Sequence, residues 1–246
     1  MKKIFYLLFI FASLLILVDS CKIDNFPSPG AQFFGGIKDS TDAALVETDL
    51  TNGSTIGAYE QGYPTPVLQT WLIKQSGEFR NNLVFANTYN FTFASCNFFP
   101  DTINDIVIKN GPNEHDFKVV PYIRIKNCSI TNDAVNNKIV ATFNLEGGKP
   151  TVKVASVTLY AWTDMYVGAN AKYTIATGTG VPSKTLSGAA QTIVPATLYT
   201  LSIDMAANPT LFKTGRNYYF RVGAIGIQSG VGTIRSNYVT YVKITL

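Results

Sequence analysis

The chain contains one histidine, His115, set between Glu114 and Asp116. A Ser-His-Asp relay, a histidine metal centre and an imidazole general base therefore have a single possible member, and its place at the head of an apolar run fits a structural residue. A two-carboxylate hydrolase needs no histidine. Asp101, Asp105, Glu114 and Asp116 are the acids that loop-like sequence could gather at one edge of the first half, although solvated turns account for them equally. Asp39, Asp42, Glu47 and Asp49 offer hard oxygen ligands, but their spacing departs from the D-x-[DN]-x-[DN]-G calcium loop, so no metal is expected. Gly35-Gly36 and Gly178-Thr179-Gly180 lack a GxGxxG continuation into a helix, so no phosphate cradle and no cofactor are expected either. These residues point away from an enzyme.

Aromatic residues carry more. Sugars present apolar C–H faces that stack on Trp and Tyr rings, while their hydroxyls pair with nearby polar or charged groups. Along 157–164, Val157, Leu159 and Ala161 are apolar, whereas Thr158, Tyr160, Trp162 and Asp164 are amphiphilic. Period-two alternation places Tyr160 and Trp162 on an outer face. If their strands neighbour this one in the sheet, Tyr219 with Arg221, and Tyr241 with Lys243, would join that face, giving an aromatic platform with cationic partners. The alternative is that Trp162 is a core tryptophan and the tyrosines cover an interdomain contact. Trp71, with Tyr59 and Tyr63, is a second candidate sugar-binding group.

The elements that must position these groups are strands. Apolar segments are short, rich in Val, Ile, Tyr, Phe and Thr, and bounded by Gly, Pro, Asn or Asp, so the chain reads as all-β. Strands are expected at 32–38, 54–59, 67–74, 87–94, 105–108 and 115–120, and then at 122–130, 138–145, 153–162, 171–176, 198–204, 218–225 and 238–246. The expected organisation is two β-sandwich domains, 31–120 and 121–246, and no repeat of 20 to 50 residues is evident.

Residues 1–20 read as an export signal: Lys2 and Lys3 precede an apolar run, 4–18, that is shorter than the roughly 20 residues a membrane-spanning helix needs. Val18, Asp19 and Ser20 lead into Cys21, a pattern that resembles the lipobox of bacterial lipoproteins, in which the cysteine is acylated. That resemblance implies a membrane partner through lipidated Cys21, with 21–30 as the tether; the two or three acyl chains of such a cysteine hold a protein stably, where one does not. Lys22 and Asp24 resemble the export signal of Bacteroidetes surface lipoproteins, implying an outer-membrane, cell-surface location. The formal net charge is +4, and +3 without residues 1–20, with no Lys/Arg cluster, so nucleic acid is not an expected partner. Cys96 and Cys128 are expected as two buried thiols; export would permit a bridge between them.

Three further resemblances refine the fold. Phe34-Gly35-Gly36-Ile37-Lys38-Asp39, Ser76-Gly77-Glu78-Phe79-Arg80 and Asn87-Thr88-Tyr89 resemble the carboxypeptidase-regulatory or transthyretin-like sandwich, with Asn87 where that family has a glycine and expected to take the left-handed turn. Gly215-Arg216-Asn217-Tyr218-Tyr219-Phe220-Arg221-Val222 resembles the penultimate strand of fibronectin III/Ig-like sandwiches, where an early Tyr ties down the preceding corner. Across the chain, Asp24-Asn25-Phe26, Asn97-Phe98-Phe99-Pro100 and Val120-Pro121-Tyr122-Ile123-Arg124 resemble a family of two-domain Bacteroidetes lipoproteins of unknown function, the domain-of-unknown-function 3823 type. Its association with starch-utilisation-type importers implies a polysaccharide or oligosaccharide ligand and an outer-membrane transporter complex as partner. The other open reading is a structural or assembly subunit that binds a protein.

Overall fold

The computed structural model describes residues 28–186 and 191–246; Cys21 and the export signal expected at 1–20 lie outside them. The N-terminal half comprises β1 (Ala31–Asp39), β2 (Thr55–Glu60), β3 (Leu68–Leu72), β4 (Glu78–Val84), β5 (Asn87–Phe93), β6 (Asp101–Ile108), β7 (Gly111–Glu114) and β8 (Phe117–Val119). One sheet runs β4-β1-β7, with β8 also paired to β1, and the facing sheet runs β3-β2-β5-β6. Aromatic side chains from both sheets form the centre of the core, with Ile37, Ile56 and Ile108 among them. Phe33 stacks on Phe91 at 5.2 Å, Phe93 meets Phe117 edge-on at 5.1 Å, and Trp71 meets Phe91 at 5.5 Å. Gly35 is required for closure, because a Cβ there would lie 1.8 Å from the His115 carbonyl oxygen.

The second half comprises β9 (Ile123–Asp133), β10 (Lys138–Gly147), β11 (Lys153–Trp162), β12 (Ser183–Thr185), β13 (Gln191–Thr192), β14 (Tyr199–Asp204), β15 (Asn217–Ile227), β16 (Asn237–Tyr238) and β17 (Val242–Thr245). A β14-β10-β9 sheet faces a larger one built on β11 and β15, with β12 and β13 pairing β11 and β16 and β17 pairing β15. Between them Phe143, Leu145, Leu159, Leu201, Phe220 and Val222 form a second buried core. The Lys213 N–H donates to the Tyr218 hydroxyl at 2.7 Å, the tied corner expected early on β15. The protein is all-β, two sandwich domains in sequence.

Strands β4, β7, β12 and β13 lie outside the expected ranges, and local expectations fail in three further places. Residues 171–176 form no strand; the Tyr173 N–H donates to the Ala161 carbonyl at 2.9 Å, laying that segment beside the end of β11. The closing segment is split into β16 and β17. Asn87 does not take the left-handed conformation. Its side chain instead donates to Glu60 Oε1 and to the Gln61 carbonyl, both at 3.0 Å, and its Oδ1 accepts from the Thr88 N–H at 2.8 Å. The turn is held by side-chain hydrogen bonds where the related sandwiches have a glycine.

Candidate functional site

Strand register fixes which side chains meet. On β11 and β15, Tyr160 pairs with Arg221 and Trp162 with Tyr219, and Tyr219 pairs with Lys243 on β17. Directly paired residues share a face, so these side chains line one outer surface of the second domain, joined by Tyr241, whose ring meets Tyr219 edge-on at 5.4 Å. That surface is divided between two environments.

At the end nearer the first domain the face is covered. Arg221 is 0% exposed. Its Nη2 donates to Glu47 Oε2 at 2.6 Å, its Nη1 to the Thr48 and Val167 carbonyls at 3.1 and 3.3 Å, and its Nε to the Val239 carbonyl at 2.8 Å. The guanidinium also lies 4.2 Å from the Tyr238 ring centre. Burial pulls its pKa down, partly offset by Glu47, yet an arginine this well paired stays charged. Tyr160, 9% exposed, packs against Tyr238 at 6.1 Å. The two rings close over Gly223, where a Cβ would lie 2.8 Å from Tyr238 and 2.9 Å from Tyr160. Tyr160 and Arg221 are thus removed from the candidate sugar surface: they are interdomain residues, inaccessible to a ligand. Trp71 is corrected for a different reason. It is 8% exposed, in the first core between Phe33, Tyr89 and Phe91, with Nε1 directed at Gln69 Oε1 at 3.4 Å.

The acids considered above as oxygen ligands complete this junction. Asp39 accepts from Arg124 Nε at 2.5 Å and Nη2 at 2.8 Å, Asp42 from Lys126 at 2.8 Å, and Asp49 from the Tyr238 hydroxyl and the Ala169 N–H, both at 2.9 Å. Burial raises the Asp39 carboxyl pKa, but the Arg124 hydrogen bonds and the Thr41 N–H outweigh that and hold it below the usual carboxylate range. Asn237 donates to the Asn97 carbonyl at 2.8 Å and accepts from the Ile123 N–H at 3.0 Å. The segment from Asp39 to Asp49 is the first domain's half of a polar clamp.

At the far end of the same face Trp162, Tyr219 and Tyr241 are half-buried and Lys243 is exposed. Tyr173 lies against Trp162 at 5.0 Å, a contact not anticipated because 171–176 reads as a strand. Three ring edges and faces with an adjacent ammonium form a shallow aromatic surface suited to the C–H faces and hydroxyls of a sugar.

The remaining chemical groups are otherwise engaged. His115 packs on Phe117 at 4.8 Å and Phe33 at 5.8 Å, and burial lowers its pKa. Asp116 accepts from Lys38 at 2.6 Å and the Gly36 N–H at 2.9 Å, which hold its carboxyl below the usual range. With Glu78, Arg80 and Glu114 these residues line an open groove of about 310 Å³ on the first domain. Cys96, in the first domain, and Cys128, in the second, are free thiols. Among the described residues no three His, Cys, Asp or Glu side chains gather as a metal site, and no helix is long and apolar enough to cross a membrane.

Fold and site define a two-domain β-sandwich protein with a buried ionic junction and an aromatic surface beyond it. The model for the N-terminal domain of a protein of unknown function (DUF3823) matches residues 31–120 and the DUF3823_C domain of unknown function matches 123–235; the chain belongs to the DUF3823 family. A protein from Bacteroides uniformis ATCC 8492, described as a candidate carbohydrate-binding protein, is 44% identical, with a TM-score of 0.83 over 89% of this chain and 100% of its own. DUF3823 proteins from Bacteroides ovatus ATCC 8483 and Parabacteroides merdae ATCC 43184 share the fold. The first has 20% identity and a TM-score of 0.67 over 88% of this chain and 99% of its own. The second has 18% identity and a TM-score of 0.68 over 89% and 100%. Comparison with curated proteins gave no match.

Proposed function

We propose that this protein is a non-enzymatic, lipid-anchored outer-membrane surface protein that binds carbohydrate as an accessory of a polysaccharide uptake system, acylated at Cys21. The observation that carries the reading is the half-exposed cluster of Trp162, Tyr219 and Tyr241 beside Lys243 on a rigid sheet. Support also comes from the 44% identical Bacteroides uniformis relative, described as a candidate carbohydrate binder. Rings fixed on strands lose little conformational entropy when a ligand stacks on them. The importer partnership and the location rest on the sequence around Cys21 and on the family resemblance.

Tryptophan emission tests the binding claim. Trp71 is enclosed in the first core and Trp162 is at the surface, so saccharide-dependent emission changes report on Trp162. A saturable change with one oligosaccharide of a panel, absent in Trp162→Phe, is the expected result; no change with any of them contradicts the reading.

A further inference from the structure

We propose that the pole of the first domain from which the tether emerges lies on the bilayer surface, with a ring of exposed apolar side chains dipped into the lipid headgroup region; this rests on the proposed acylation of Cys21. Strand β1 is the axis of the argument. Its first residue, Ala31, pairs with Val84 and Gly111, and its last, Asp39, is bound by Arg124 of the second domain. At about 3.3 Å per residue the two ends are roughly 26 Å apart. The chain therefore enters at one pole of the first domain and hands over to the second domain at the opposite pole.

Loops 28–30, 61–67, 85–86 and 109–110 meet at the entry pole. The Gly111 N–H donates to the Gly30 carbonyl at 2.9 Å, the Gln61 N–H to the Thr88 carbonyl at 2.9 Å, and the Tyr89 hydroxyl to the Phe85 carbonyl at 3.1 Å. Around them Val67 and Leu83 are 76% and 74% exposed, and Tyr63, Phe85 and Val107 are exposed as well. These four loops contain no Asp or Glu and one cation, Lys109. An apolar and aromatic rim whose one neighbouring carboxylate, Glu60, is buried against Asn87 suits a lipid headgroup boundary, where such side chains bury their apolar parts. Nine residues lie between Cys21 and Ala31, ten Cα steps with a reach of at most about 35 Å. An acylated Cys21 therefore keeps this pole within reach of the membrane at all times, so weak apolar contacts are enough to seat it. The second domain and its aromatic surface then face outward.

The test uses the full chain, acylated in cells and reconstituted into phosphatidylcholine vesicles with or without brominated acyl chains, carrying Val67→Trp, Leu83→Trp or Val135→Trp. Val135 occupies the turn after β9, a strand that begins at the junction and ends at the outer tip. Brominated lipid is expected to remove about half of the added emission at positions 67 and 83, because insertion reaches roughly 5–10 Å into the boundary, and to leave position 135 unchanged. An acylated chain without quenching at 67 and 83 overturns the proposal alone, as does their protection by a co-purifying protein. A purified chain whose mass shows no acyl groups overturns the anchor and this proposal together.

Discussion

Replacing Arg221 with methionine removes a fully buried charge while keeping most of the side-chain volume. The loss strands the Glu47 carboxylate, whose side chain is only 15% exposed, and takes donors from the carbonyls of Thr48, Val167 and Val239. Glu47 retains the Thr240 hydroxyl as a donor through its other oxygen, which does not neutralise it. Breaking a buried pair by removing one partner costs about 3–5 kcal/mol, since the remaining charge stays desolvated. Val167 keeps Gln75 Nε2 as a donor, and the orphaned Thr48 and Val239 carbonyls each add about 1 kcal/mol where water cannot reach them. A destabilisation of about 5–7 kcal/mol is expected in urea unfolding followed by tryptophan emission and far-ultraviolet circular dichroism. Because Arg221 is in the second domain and Glu47 in the first, unfolding should resolve into two transitions, with Trp71 reporting the first domain and Trp162 the second. Adding Glu47→Gln to Arg221→Met should recover part of the loss, since no unpaired charge then remains. A loss below about 1 kcal/mol with coincident transitions would refute the view that this pair couples the domains.

Further consequences are open to measurement. Gly223→Ala places a methyl against the Tyr160 and Tyr238 rings and should cost about 1–3 kcal/mol by the same unfolding assay; an unchanged midpoint would show that the rings yield freely. Asp39, Asp42 and Asp116 all sit below the usual carboxylate range, Asp42 chiefly through its hydrogen bond from Lys126 and Asp116 through that from Lys38. Depressed carboxyl pKa values give stability that is complete above about pH 4 and is lost as pH falls through the folded-state values. Urea midpoints should therefore fall below about pH 4, and a flat profile would contradict these assignments. Burial pushes the Cys96 and Cys128 thiols up to about 11. Neither should react appreciably with iodoacetamide at about pH 8 in the folded protein, and rapid labelling of either would count against their packing.

Alternation placed Tyr160 and Trp162 on one side of β11, because strand geometry repeats every two residues; that Tyr219, Arg221, Tyr241 and Lys243 share that side followed from the resemblance to fibronectin-like sandwiches, which sets their strands beside it. An interdomain contact under the tyrosines stood as the alternative, but which residues make it was not legible. Glu47 and Arg221 are 174 residues apart, and no local pattern records such a pairing. The four acids between Asp39 and Asp49 looked like a loose ligand set, and their spacing gave no hint that cationic and hydroxyl partners waited on another domain. Trp71 was offered as a sugar-binding group, yet Leu68 and Leu72 take the solvent side of β3, 50% and 75% exposed, and the tryptophan between them turns inward. Segment 171–176 has strand composition but spends its backbone at the end of β11, where it brings Tyr173 to Trp162.

Native affinity electrophoresis through a panel of polysaccharides, with wild-type, Trp162→Ala and Tyr160→Phe chains run side by side, tests the sugar-binding account most directly. Loss of a central aromatic contact is worth about 2 kcal/mol, roughly thirtyfold in Kd. The account predicts retardation of wild-type and Tyr160→Phe by one polysaccharide and its loss in folded Trp162→Ala. Equal retardation of all three chains, or of none, would contradict it.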